Sequence, residues 1–257
     1  MGKSTVCLSL LCALIHSGEF LPSDLAYIKP ATQCESATLV LKFCQRHGIV
    51  FRGIGPIVYY SGFTYQAIEA ESKDFQVDSL RAQIKASIET VSVGKKFVLV
   101  DGVGYPSVGS VAGISSAEIA GWLEIPVLHV GRPGVGNSID AFNLYKAFYD
   151  KMNCQVVAVV FNKLSIDPGS RHSFDACVKY VSMYFAKHYP EILLIGFLPA
   201  LAKVLKTKSH TMDNKCALRY TEEDLTLDEG EIEALEAIQA ELVPRIDIKA
   251  LLQKLES

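Results

Sequence analysis

Five short runs of apolar residues punctuate the chain, over residues 25–28, 97–100, 127–130, 156–161 and 192–198. None alternates strictly between apolar and polar positions, a pattern that predicts parallel strands covered on both faces. Longer stretches between them read as helices, over 5–17, 36–47, 77–91, 115–123, 138–151 and 173–187. Strand–helix alternation of this kind predicts an α/β fold with a mostly parallel, doubly wound sheet, in one domain spanning 1–257. Residues 53–61, rich in Gly, Pro and Tyr, and the glycine-rich 101–113 read as surface excursions. The polar stretch 203–224 reads as a loop. Thr226 followed by Glu229 resembles a capping box, which opens a helix over 227–242. Pro244 ends that helix, and a last short one covers 248–255.

Composition narrows the function classes. A length of 257 residues suffices for one large α/β domain, and 49% hydrophobic with 21% charged residues excludes a disordered or fibrous chain. A net charge of −3, with Lys and Arg scattered, gives no field for nucleic acid. Seven cysteines, an odd count without a C-x-x-C pair, sit mostly in apolar stretches. They read as reduced thiols, which points to a cytoplasmic location. No run reaches the length needed to span a membrane. Lys3 and the apolar run to Ile15 imitate a short signal peptide, the rival reading of this end, although no small-residue cleavage site precedes His16.

Ligands of open α/β sheets bind beyond the carboxyl ends of the strands. There this chain places Lys29-Pro30-Ala31-Thr32 after the first run and Asp101-Gly102 after the second. Gly131 to Asn137 follows the third and Asn162-Lys163 the fourth. One edge of the sheet thus collects a lysine, a carboxylate, a glycine-rich helix entrance and an amide. Gly2, Lys3, Ser4 and Thr5 form the second half of a phosphate loop, G-x-x-x-x-G-K-[ST], ahead of an apolar helix. Free N–H groups at a helix start hold phosphates, a lysine neutralises them, and the serine hydroxyl binds Mg2+. Four residues are a weak signal alone; an ordinary N-terminus reads the same way.

Each of the other elements has a bland reading beside the functional one. Lys29 suits a phosphate or carboxylate, or is a solvated strand-end lysine. Asp101 suits Mg2+, or forms an Asp-Gly turn. The entrance Gly134-Val135-Gly136-Asn137-Ser138 offers N–H groups to an anion, or is a cap supplied by Asn137 or Ser138. Asn162 suits an adenine edge. The N-K-x-D spacing of guanine readers is missing, because residue 165 is serine. The six histidines show no metal-ligand spacing, and the Ser115-Ser116 pair reads as a helix cap.

Together these motifs resemble the dethiobiotin synthetase family, whose fold also occurs in cobyrinic acid a,c-diamide synthases and some phosphotransacetylases. The matching segments are GKST, YIKPATQ, VLVDGVG, IPVLHVGRPGVGNSID, VVAVVFNKL and LLIGFLP, in the family's order across most of residues 1–200. The resemblance implies a three-layer P-loop fold whose first strand is missing, with its place central in the sheet and the neighbouring strand edges left unpaired. It implies ATP and Mg2+ as cofactors and a small-molecule substrate, with no nucleic acid or membrane partner. Lys3 and Lys29 take the catalytic positions. Gly2, Lys3, Ser4, Thr5 and Asn162 take those of the nucleotide, and Ser4, Glu35 and Asp101 those of the metal. Thr32, Gly136, Asn137, Ser138 and Ile139 match the substrate-binding positions, the last four at a helix entrance that serves a homodimer interface in the synthetases. Asp101 stands where the family usually has glutamate, and GPIVYYSGFTYQ departs from the biotin enzyme towards stand-alone or regulatory relatives. Two functions are implied: an ATP-dependent carbon–nitrogen ligase, as in biotin biosynthesis, or a regulatory ATP-binding module of the same fold.

Overall fold

The computed structural model describes residues 2–33, 36–69, 76–167, 169, 173–206 and 220–256. It is an α/β structure in which every pairing between strands is parallel, consistent with a P-loop fold. Tight clustering of contacts divides it into two units, one formed by residues 1–17, 124–207 and 229–257, the other by 18–123 and 208–228.

The first unit is built on the sheet order β6-β7-β8, with β6 Val127–Gly131, β7 Val156–Leu164 and β8 Leu193–Pro199. β7 is central and buried along its length except at Lys163, as its β-branched sequence predicts. Helices α6 (Val135–Lys151) and α7 (Phe174–His188) pack together, and Phe142, Phe161 and Phe185 fill the space around them. The Ser173 hydroxyl accepts from the Ala176 N–H and starts α7. Helix α1 (Lys3–His16) buries nine consecutive residues, Val6 to Leu14, and packs against residues 238–245. It begins two residues ahead of the predicted start, and α6 begins three ahead. In both cases a glycine of positive φ, Gly2 or Gly134, occupies the cap position, so no side-chain cap is required.

Helix α8 (Ala202–Lys206) takes up the start of the predicted loop; residues 207–219 lie outside the described residues. The box at Thr226 does not form. Its hydroxyl donates back to the Glu222 carbonyl, and α9 runs over Glu229–Ala237. A widened turn, Ile238–Leu242, and a tight one, Val243–Arg245, carry the chain past Pro244 before α10 (Ile248–Glu256). Proline sits at the start of that tight turn, where its missing N–H costs nothing.

The second unit holds the sheet order β3-β1-β5, with β1 Leu25–Ile28, β3 Val50–Arg52 and β5 Phe97–Val100, and a separate pair, β2 Ala31–Gln33 with β4 Ile57–Tyr59. Helices α2 (Leu39–His47), α3 (Phe63–Glu69), α4 (Val77–Ser92) and α5 (Ser116–Trp122) complete it. Ser115 caps α5 through a box with Glu118, as expected of that serine pair. Residues 53–61 are not a plain surface excursion. Ile57 is buried with Phe63, Leu80, Ile84 and Ile114, and β4 pairs with β2. Val103 and Ala112, within 101–113, join the same cluster.

β5 and β6 each end their sheet. All four residues of β5 and three of the five in β6 are half-buried, whereas β1 is wholly buried.

Candidate functional site

The start of α1 is built around Gly2, whose backbone is left-handed at φ 74° and ψ 37°. A side chain there would also collide. An added Cβ would lie 2.7 Å from Asn162 Nδ2 and 3.0 Å from Lys163 Cε. Conformation and space therefore both demand glycine. The amide of Asn162, at the end of β7 and 2% exposed, donates from Nδ2 to the Gly2 carbonyl at 3.2 Å, and its Oδ1 accepts from the Lys163 N–H at 2.8 Å. Lys163 itself has positive φ, 61°. Asn162 thus ties the end of β7 to the residue before Lys3.

Among the described residues no side chain caps α1 and no acid occupies its first turn, so the positive end of the helix dipole lies at Lys3, Ser4 and Thr5. Gly2 to Thr5 are half-buried. The charge of Lys3 is felt by His129 on β6. Burial pushes that imidazole down to about 4, and the Lys3 ammonium adds to the effect, so His129 is neutral. Its Nδ1 lies 3.4 Å from Tyr149 Oη, and Phe142 and Tyr145 flank the ring.

At the entrance of α6, Gly134 caps the helix, which puts Gly136, Asn137, Ser138 and Ile139 in its first turns. Asn137 and Ser138 do not act as caps. Asn137 Nδ2 donates to the Pro133 carbonyl at 3.0 Å, and Ser138 Oγ to the Arg132 carbonyl at 2.6 Å. Both shape the preceding loop. Gly136 is exposed, with open space where a Cβ would stand; Ile139 is half-buried.

In the second unit, register brings three polar groups together. Ile28 pairs with Val100, and the Asp101 N–H donates to the Ile28 carbonyl, so one step further Lys29 stands opposite Asp101 at the carboxyl edge of β1 and β5. Tyr27 and Lys29 share a face of the strand by its two-residue period. Tyr27 Oη donates to Asp101 Oδ2 at 2.7 Å, with Tyr27 fully buried and Asp101 3% exposed. Lys29 is 5% exposed, so it is not a solvated strand-end lysine. Nor is Asp101 an exposed turn residue.

Thr32, also buried, directs its hydroxyl to the Ile57 carbonyl at 3.5 Å, a weak bond within the β2–β4 pair. Glu35, the other predicted metal ligand, lies outside the described residues.

Tyr27 and the tie from Asn162 to Gly2 are the features sequence reasoning missed. Tyr27 lies in the YIKPATQ motif, two residues before Lys29, and that spacing was the available signal.

Among the described residues no three His, Cys, Asp or Glu side chains cluster to cage a metal ion. The single buried carboxylate of Asp101 fits Mg2+, which keeps several waters and takes one or two carboxylates beside the phosphates of a nucleotide. The described cysteines, Cys7, Cys12, Cys44, Cys154 and Cys177, are buried and in no disulfide, which fits reduced thiols used as small hydrophobes. No described helix is long and apolar enough to cross a membrane.

No curated protein matches the chain. A family model described as an AAA domain matches residues 1–208, the stretch that contains both groups of site residues. That family consists of P-loop NTPases and includes dethiobiotin synthetase-like members. With four fifths of its length matched, and an uncapped, glycine-led helix start where such proteins hold phosphates, this chain belongs to the AAA domain family of P-loop nucleotide-binding proteins.

Proposed function

We propose that the protein is an ATP- and Mg2+-dependent ligase of the dethiobiotin synthetase type, which forms a carbon–nitrogen bond through a phosphorylated carboxylate or carbamate. The burial of Lys29 beside Asp101 carries this reading, because simple nucleotide binding does not require a second buried lysine at a strand end.

In this reading Gly2 to Thr5 hold the phosphates of ATP through N–H groups, with the Lys3 ammonium on the β- and γ-phosphates. Ser4 and Asp101 are the residues that hold Mg2+, which when bound neutralises charge on the transferring phosphoryl group. Lys29 orients the substrate anion, one oxygen of which attacks the γ-phosphorus while ADP leaves. The resulting acyl phosphate or carbamoyl phosphate is then attacked at its carbonyl carbon by an amine, and inorganic phosphate departs. Lys29 stabilises the charge that builds on the oxygens during both displacements. Gly136 and its neighbours offer helix N–H groups to a second carboxylate of the substrate.

Lys29→Ala tests the assignment. Turnover, followed as ADP release with diamines and bicarbonate, is expected to fall by at least about a hundredfold, the scale for losing one electrostatic donor. ATP affinity by calorimetry stays within about threefold. Loss of both, or of neither, removes Lys29 from the chemistry. ATP binding by the native chain without turnover of any such substrate pair favours a regulatory nucleotide-binding module of the same fold.

A further inference from the structure

We propose that Tyr27 is a positioning residue for the metal carboxylate: its buried hydroxyl fixes the orientation of Asp101 and so sets the affinity for the divalent cation. The inference rests on the proposed role of Asp101 in binding Mg2+. Its own ground is geometric. The pair is 2.7 Å apart, with Tyr27 fully buried on β1 and Asp101 3% exposed just past β5, so the bond is shielded from competing water.

Two facts make this more than a satisfied core pair. First, the ladder between β1 and β5 holds both backbones in register, Tyr27 opposite Leu99, so the phenol reaches Asp101 diagonally across a rigid ladder rather than from a loop. Second, the aspartate is a short acid at a position that demands accuracy. Mg2+ tolerates little deviation from octahedral geometry at about 2.0–2.1 Å. A carboxylate offers about four acceptor positions, and the bond from Tyr27 occupies one of them on Oδ2. Hydroxyl partners of this kind, one bond removed from the ion, alter metal affinity about 10–100-fold when deleted.

The test is a double-mutant cycle on the full chain with Tyr27→Phe and Asp101→Asn. Calorimetry reads ATP affinity in EDTA and, separately, the Mg2+ concentration that half-saturates the cation-dependent gain in ATP affinity. Tyr27→Phe is expected to raise that concentration about tenfold while ATP affinity in EDTA stays within about twofold. In the Asp101→Asn background the same substitution is expected to change nothing further. Should Tyr27→Phe not fold, the 13Cζ resonance of Tyr27 in the native chain is read instead; it should shift when Mg2+ is added to the ATP complex and stay put with ATP in EDTA. Unchanged Mg2+ dependence in Tyr27→Phe, or an unmoved resonance, while Asp101→Asn loses the dependence, overturns the role of Tyr27 alone. Native Mg2+ dependence in Asp101→Asn overturns the metal role of Asp101, and the inference falls with it.

Discussion

Gly2 is constrained twice over, and the two constraints can be separated by mutation. Its left-handed backbone costs any L side chain about 1–2 kcal/mol. The contact with Asn162 Nδ2 adds a collision that only movement of the amide can relieve. Gly2→Ala is therefore expected to weaken ATP binding at least about tenfold and to lower the melting temperature, both read on the purified variant. Adding Asn162→Ala removes the collision with the amide but leaves the backbone strain and loses the tie to the Gly2 carbonyl, so the double variant should recover part of the stability and none of the affinity. Full recovery of both would show that the collision alone makes glycine necessary and that the tie to Asn162 is dispensable. The motif made Gly2 and Asn162 legible as separate candidates in the sequence, but not their bond. Partners 160 positions apart leave no local signature, and the 74-position span from Tyr27 to Asp101 is silent for the same reason.

Elements differ in legibility because they differ in length. β1 and β5 fall where their apolar runs predict, and α4 and α5 lie within a residue of expectation. The two strands stand out as unbroken apolar runs, and the two helices carry enough turns to show their period. β2, β3 and β4 have three residues each and no period to detect, so their neighbourhood reads as a Gly- and Pro-rich excursion. The glycines there mark close backbone approach instead. An added Cβ on Gly55 would lie 2.2 Å from the Lys29 carbonyl oxygen and 2.4 Å from that of Pro30. Backbone cannot swing aside as a side chain can. Gly55→Ala is expected to cost about 1–3 kcal/mol in urea unfolding and to displace the segment that carries Lys29, lowering turnover as well. A variant of native stability would mean that the 53–61 segment does not pack against Lys29 and Pro30 as described.

At the scale of the whole molecule, stability against acid follows from one buried imidazole. His129 is 4% exposed, flanked by Tyr145 and Tyr149 from α6 and by the charge of Lys3 from α1. Burial, reinforced by Lys3, lowers its pKa to about 4. In the unfolded chain it returns to about 6.5. Between these values the unfolded chain binds a proton that the folded chain refuses, so stability is complete above about pH 6.5 and falls as the pH drops towards 4. The loss approaches about 3 kcal/mol at the acid end, a large share of the stability of an ordinary domain. His47 pulls the same way, since partial burial and then Arg46 lower its pKa. Asp24 and Asp224 do not contribute here. Their carboxyls are held below the ordinary value by hydrogen bonds to Leu21 and Thr221 respectively, so their loss comes at lower pH. Urea midpoints at pH 7.5 and 5.0 should therefore draw together in His129→Phe, leaving a residue from His47, while the native chain shows the full difference. Equal differences in the two proteins would mean that His129 takes up its proton in the folded state and that its burial does not govern stability against acid.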